Sequence, residues 1–242
     1  MTTHYIYISP HLDDVVLSCG GLVYEQVRDG GLVEIWTLTA GSPPEDNLPA
    51  FACELHQRWE ADADAVVIRR QEDLQACQVL GALPRHLDWQ DCIYRFKENG
   101  TALIQADQDL FDAEPEPSLV TEIAAHLKHH LPQDACLVVP MGIGSHIDHR
   151  LAALAVQASA WPALYYADYP YVIHDPAQVA MLETEQWQRI PAVIMQDGLQ
   201  AWQDAIAAYK SQLSTFWADL DEMKLAISNY CAGGGGRLWH QY

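Results

Sequence analysis

Two short stretches of the sequence concentrate side chains that bind metals and transfer protons. One is "PHLDD" at residues 10–14 and the other is "HIDH" at residues 146–149. A catalytic zinc takes three protein ligands from histidine and carboxylate groups and keeps an open position for water. Two histidines and one aspartate from these stretches would meet that requirement, and the remaining side chains could supply a base and an oxyanion donor. The six residues in question are His11, Asp13, Asp14, His146, Asp148 and His149.

Each stretch directly follows an apolar segment that we predict to be a buried strand. "HYIYISP" at residues 4–10 is rich in aromatic and β-branched residues, and "ACLVVPMG" occupies residues 135–142. In open α/β sheets, ligands bind beyond the carboxyl ends of the strands. We therefore expect the two stretches to converge at one rim of the sheet, although they are far apart in the chain.

The order of the predicted elements indicates the fold class. Strands and helices alternate, which predicts an α/β fold with a Rossmann-like, doubly wound, mostly parallel sheet and helices on both faces. We expect a single domain over residues 1–242, with residues 91–117 as a polar excursion from it. Predicted strands cover residues 4–10, 32–41, 85–89, 135–142 and 162–170, with a short one at 193–195; predicted helices cover 15–28, 69–82, 118–131, 151–160 and 199–225.

Composition restricts the classes of partner. The 242 residues include 13 Lys and Arg against 33 Asp and Glu, a formal charge of −20. So acidic a chain is a poor partner for nucleic acid or an anionic membrane, because it has few cations to replace phosphate counterions. No apolar run approaches the roughly 20 residues of a membrane span. Six cysteines without a CxxC pair and no signal-peptide pattern predict reduced thiols in a cytoplasmic protein, with a homo-oligomer left open.

Other interpretations of the same residues have to be weighed. Asp13 or Asp14 could simply cap the helix that follows. Two histidines and one carboxylate also form the facial triad of non-haem iron oxygenases, although those of the 2-oxoglutarate type are expected on a β jelly roll. A nucleotide-binding module would need a G-x-G-x-x-G turn after the first strand, where this chain has "HLDDVV". The histidines at 126, 129 and 130 share one helix, and we expect them on a solvated face.

Taken together, the two stretches resemble the metal motifs of the PIG-L/LmbE-like zinc-dependent N-deacetylases. "PHLDD" is similar to the P/A-H-P-D-D-E motif, and "HIDH" is similar to H-x-D-H. The segment "RRQEDLQACQVLGA" at 69–82 resembles the R-x-x-E helix of this family, and "AYKSQL" at 208–213 resembles its late K/H-x-S-Q segment. The resemblance implies an enzyme that hydrolyses a linear amide, removing an acetyl or related acyl group from a small-molecule amino sugar or glycoconjugate.

The resemblance also implies a metal site. His11, Asp14 and His149 would bind Zn²⁺, with Fe²⁺ or another divalent cation as the alternative. The chain departs from the first motif at Leu12, where the family has proline, and at Val15, where it has glutamate. The loss of that glutamate removes a carboxylate behind the metal ligands, so their orientation must be supported differently.

The remaining roles follow from the same resemblance. Asp13 would be the general base that activates the metal-bound water. His146 would be the cation or the hydrogen-bond donor beside the tetrahedral intermediate, with Asp148 supporting it. Arg69 and Asp91 would contact the substrate. A non-catalytic metal- or sugar-binding relative with the same fold is the alternative to this enzyme.

Overall fold

One seven-stranded sheet forms the centre of the molecule. The structure is a computed structural model that describes residues 2–44, 46–60, 64–174 and 186–241. Its strands lie in the order β3-β2-β1-β4-β5-β7-β6, with the first five parallel and β7 antiparallel to both of its neighbours. The predicted mostly parallel α/β sheet is therefore confirmed. The strands are β1 (His4–Ser9), β2 (Leu32–Thr37), β3 (Leu83–His86), β4 (Ala135–Pro140), β5 (Ala163–Tyr166), β6 (Trp187–Arg189) and β7 (Leu238–Gln241).

Helices cover both faces of the sheet because side chains alternate between the faces along each strand. The helices are α1 (Asp14–Arg28), α2 (Ala50–Arg58), α3 (Ala65–Leu80), α4 (Asp109–Asp112), α5 (Pro117–His130), α6 (Ile147–Ser159), α7 (Tyr171–His174), α8 (Gln196–Ile206), α9 (Lys210–Phe216) and α10 (Leu220–Ala232). Ile6 and Ile8 of β1 pack in one apolar cluster with α5 and α6, whereas Tyr7 packs in the opposite cluster with α1, α3 and α8.

The predicted helix over residues 199–225 is wrong, because that region forms three helices. Apolar side chains recur at helical spacing throughout this region, but polar contacts end one helix and begin the next. Glu72 of α3 accepts the backbone N–H of Ser211 at 2.8 Å and its hydroxyl at 2.6 Å, which fixes the start of α9. Asp219 caps α10 by accepting the N–H groups of Asp221 and Glu222, both at 2.9 Å.

Other observed boundaries differ from the predicted ones by a few residues, and one predicted strand is misplaced. The predicted strand at 193–195 is wrong: the edge strand is β6, which pairs with β7, and Val193 lies beyond it with 72% of its surface exposed. Helix α3 begins four residues before the predicted start at Arg69, and Gly81 ends it in the left-handed conformation, as predicted.

The segment over residues 91–117 contains a 3-10 helix (Cys92–Tyr94) and the short α4. Ile93 and Tyr94 pack with α2 in an apolar cluster over the rim of the sheet. The six cysteines are free, and Cys19, Cys77 and Cys92 are buried. Among the described residues, no helix is long and apolar enough to cross a membrane.

Candidate metal centre and active site

The carboxyl ends of β1 and β4 bring the two polar stretches together. These strands are parallel neighbours, so the chain leaves both at the same rim, into α1 and α6 respectively. One ring nitrogen from each of His11, His146 and His149 can be chosen so that all three lie within 4.8 Å of one another. The predicted convergence of residues 10–14 and 146–149 is therefore present in the fold.

Asp14 lies between two of these rings. Its Oδ2 is 3.1 Å from His11 Nδ1 and accepts the His11 backbone N–H at 2.7 Å, while its Oδ1 is 3.3 Å from His149 Nε2. Burial would raise the pKa of Asp14, but the charges of His149 and His11 lower it well below its usual value. Asp14 thus contacts both of the other predicted ligands, and its surroundings favour the ionised carboxylate.

The His149 ring is oriented from behind by a residue that the sequence did not single out. His149 Nδ1 lies 2.6 Å from Asp168 Oδ1, and Asp168 Oδ2 accepts the N–H of Ile143 at 3.0 Å. With the Nδ1 proton donated to Asp168, Nε2, which faces Asp14, is the nitrogen that remains for a metal. Asp168 is fully buried two residues after β5, so the strand-end rule that selected the other residues could also have found it.

Asp168→Asn is expected to weaken metal binding about 10–100-fold, because it removes the carboxylate that fixes the His149 ring. Competition with a chromophoric chelator would measure the dissociation constant. The control is Asp88→Asn, which removes a carboxylate whose side chain is 96% exposed. Wild-type affinity in Asp168→Asn would contradict this role.

Asp148 supports a different ring from the one that the resemblance implied. Its Oδ2 is 3.1 Å from His11 Nε2, and it also accepts the N–H of Cys92 at 2.9 Å. The guanidinium of Arg95 pairs with Oδ1. The link to His146 is made by the backbone instead, since the N–H of Asp148 donates to His146 Nδ1 at 3.2 Å.

This backbone contact determines which hydrogen bond His146 can offer. Because Nδ1 is the acceptor, the proton of the neutral ring is on Nε2. Burial lowers the pKa of His146 well below its usual value, and the neighbouring His11 and His149 lower it further. The site therefore favours a neutral His146 that donates a hydrogen bond through Nε2, which is the second of the two roles that the resemblance implied.

Asp13 points away from Asp14 and towards a cation. Its Oδ2 lies 3.6 Å from Arg69 Nη2, and its side chain makes no capping hydrogen bond to α1, so capping does not explain its presence. Burial raises the pKa of Asp13 to about 6, although Arg69 opposes this and Asp14 adds to it. A carboxylate with that pKa is deprotonated at neutral pH and still basic enough to take a proton.

Arg69 and Asp91 lie on the far side of Asp13. Arg69 Nη1 is 4.0 Å from Asp91 Oδ2, and its guanidinium carbon is 4.8 Å from the centre of the Trp59 ring. Arg69 Nε is buried and has no hydrogen-bond partner among the described residues. Asp91 Oδ2 is also 3.8 Å from His11 Nε2. Both residues predicted to contact substrate thus lie beside the predicted metal ligands.

A cavity of ≈ 200 Å³ opens onto these side chains. Tyr171 forms one wall, and Gly144 leaves space for it, because a Cβ at that position would lie 2.3 Å from the ring. Trp89, by contrast, lies away from the cavity and donates to Glu122 of α5 at 2.8 Å. The rest of the wall outside the metal ligands includes Leu55, Trp59, Ile93, Leu110, Gln212 and Phe216.

One alternative loses its structural basis, because the mostly parallel sheet is not the jelly roll expected for a 2-oxoglutarate-dependent oxygenase. The histidines of α5 lie away from the cavity: His129 and His130 are exposed, as expected, and His126 is half-buried.

Comparison with known proteins connects this geometry to a family. The family model described as "PIG-L: GlcNAc-PI de-N-acetylase" matches residues 6–160, which include both polar stretches. A 2'-N-acetylparomamine deacetylase from Niallia circulans is 31% identical over 186 residues, covering 69% of this chain and 67% of that protein. An enzyme of the same name from Streptomyces fradiae is 30% identical over 173 residues, and the match spans 69% of this chain and only 57% of that protein.

A solved structure supports the same grouping over nearly the whole chain. The zinc-inhibited form of teicoplanin deacetylase superposes with a TM-score of 0.81 at 26% identity, covering 98% of this chain and 97% of that one. The mostly parallel sheet and the helices on its two faces are therefore shared with a deacetylase.

Proposed function

This chain belongs to the PIG-L family, and on that premise we propose that it is a metal-dependent deacetylase. It would remove an acetyl group from the amide nitrogen of a small-molecule amino sugar or glycoconjugate. The observation that carries the proposal is that Asp14 contacts both the His11 and the His149 ring, with a separate buried carboxylate, Asp13, at the same cavity.

The donor set fits a divalent cation. Two imidazoles and one carboxylate suit zinc or ferrous iron, and each imidazole has a carboxylate on its other nitrogen. Asp14 and Asp168 outweigh burial and raise the pKa of His149 to about 9, so the surroundings favour positive charge at this position. We propose Zn²⁺, with Fe²⁺ as the alternative. When bound, the cation would polarise the acyl carbonyl and lower the pKa of a water molecule.

The residues around the cation would divide the proton transfers. Asp13 takes a proton from the water that attacks the amide carbon. His146 donates its Nε2 hydrogen bond to the acyl oxygen as negative charge develops there. As the C–N bond breaks, Asp13 returns the proton to the amine, so that the products are acetate and a free amino sugar.

The far side of the cavity would hold the sugar. Arg69 and Asp91 offer a donor and an acceptor to hydroxyl groups, and Trp59 offers an aromatic face. The chain's charge of −20 would attract an amino-group-bearing, cationic glycoside more than an anionic one. Both curated relatives are named for 2'-N-acetylparomamine. We therefore place N-acetylated amino sugars with further free amines first among the candidate substrates.

A substrate panel tests this proposal. The purified protein would be incubated with N-acetylated amino sugars, among them 2'-N-acetylparomamine and diacetylchitobiose, and with N-acyl analogues that carry longer chains. Acetate and free amine should appear in equal amounts. Since one solved relative is described as zinc-inhibited, zinc should be supplied both at one equivalent and in excess. Sugar and metal binding without any hydrolysis would favour the non-catalytic alternative.

A further inference from the structure

A buried arginine lies behind the metal centre and has no role in the proton transfers described above. Arg95 is 8% exposed and follows the 3-10 helix of residues 92–94. Its guanidinium pairs with Asp148, and its Nε lies 3.4 Å from Glu116 Oε1. Its Nε and Nη1 nonetheless have no hydrogen-bond partner among the described residues. Burying a cation with so few partners is costly, so a specific role is expected for it.

The turn that contains Arg95 surrounds one carboxylate. Asp148 is fully buried and receives the Arg95 guanidinium on Oδ1 and the Cys92 N–H on Oδ2. Arg95 and Cys92 therefore hold the two oxygens of this carboxylate from separate donors. The orientation of the carboxylate is thereby fixed, with Oδ2 turned towards the His11 ring.

That orientation decides which nitrogen His11 presents to the cation. A carboxylate at His11 Nε2 holds the proton there, which leaves the lone pair on Nδ1 beside Asp14. Val15 occupies the position of the family's motif glutamate, but it is 1% exposed within the apolar core and offers no polar group. The support for His11 therefore comes from the far side, through Asp148.

We propose that Arg95 is a positioning residue of the metal centre: it holds Asp148 against His11 and so keeps Nδ1 of that ring available as a ligand. Residues 92–95 would then support the metal site in addition to covering the rim of the sheet. The inference rests on the proposed function in that His11 is taken as a metal ligand.

Metal affinity measured without substrate tests this inference. Arg95→Met is expected to weaken metal binding about 10–100-fold in competition with a chromophoric chelator, and Arg95→Lys, which keeps the charge, should lose less. The control is Arg28→Met, which breaks the ion pair of an exposed arginine with Glu25 away from the site. Wild-type affinity in Arg95→Met would overturn the inference.

A double-variant cycle separates positioning from general damage to the fold. If Arg95 acts through Asp148, Arg95→Met should change the affinity little in an Asp148→Asn background, whereas independent effects would multiply and contradict the inference. The double variant removes both charges of the Arg95–Asp148 pair together, so it and Arg95→Lys provide the comparison with Asp148→Asn even where Arg95→Met alone fails to fold.

Activity provides a further distinction. Saturating metal should restore most of the turnover of Arg95→Met with an unchanged KM, because the residue does not touch substrate; a turnover defect that persists in the fully loaded protein would contradict the inference. A wild type that binds metal but releases no acetate would overturn the proposed function, while the affinity comparison would still decide the role of Arg95.

Discussion

Asp13→Asn is expected to lower kcat about 10²–10⁴-fold while the metal content remains that of the wild type. The substitution keeps the shape of a buried side chain but removes the group that accepts the proton. Asp13 pairs with Arg69 and is not one of the predicted ligands, so the metal should be retained. Metal analysis and steady-state kinetics on the same preparation make the measurement.

The matched control is Asp107→Asn, a 70% exposed carboxylate at the mouth of the same cavity, which should retain near wild-type kcat. The pH profile provides a second check. Since the pKa of Asp13 is raised to about 6, its basic form is lost as the pH falls through that value, and kcat/KM of the wild type should fall with it. Bound metal would move this limb to lower pH, and Asp13→Asn should lack it. Loss of metal in Asp13→Asn would instead mean that Asp13 and Asp14 have exchanged roles.

Asp14→Ala is expected to lose both the bound metal and measurable activity, the second large effect. Asp14 contacts both ligand rings, and no other carboxylate among the described residues does so. The three histidines His11, His146 and His149 form the competing ligand set. The two sets are distinguished by His146→Gln, which should keep the metal and lower kcat about 10²–10³-fold through loss of an oxyanion donor.

Inductively coupled plasma analysis of the two variants, after dialysis against the same buffer, would show which residue is the third ligand. Retention of a full equivalent of metal by Asp14→Ala, together with its loss from His146→Gln, would support the three-histidine set.

The sequence predicted the location of the site because two local signals agreed. Apolar β-branched segments marked β1 and β4, and parallel strands bring their carboxyl ends to one rim, so residues far apart in the chain could be brought together without a structure. The six candidate residues within "PHLDD" and "HIDH" all lie at that rim. The order of strands and helices was equally informative about the fold class.

What the sequence could not predict depends on contacts between distant segments. Arg95 lies in a polar stretch without periodicity, and only its pairing with Asp148 marks it. The end of β5 could have marked Asp168 as a candidate, but only its contact with Nδ1 shows that it orients His149. The division of residues 199–225 into three helices follows partly from the contact between Glu72 and Ser211, which no local pattern encodes.

The contact of the Asp148 carboxylate with His11, instead of with His146, also depends on the fold and not on the local sequence. Within "HIDH", Asp148 lies only two residues after His146, but α6 begins at Ile147, so the carboxylate contacts His11 while the backbone N–H donates to His146. The motif specifies which residues are present, and the start of α6 determines which of their side chains contact one another.

The most direct test of the deacetylase account is acetate release from 2'-N-acetylparomamine by the metal-free protein and by the protein loaded with one equivalent of a divalent metal. The account predicts equal amounts of acetate and free amine from the loaded protein, and almost none from the metal-free protein. Hydrolysis at the same rate after complete removal of the metal, or none by the loaded protein on any N-acetylated amino sugar, would contradict it.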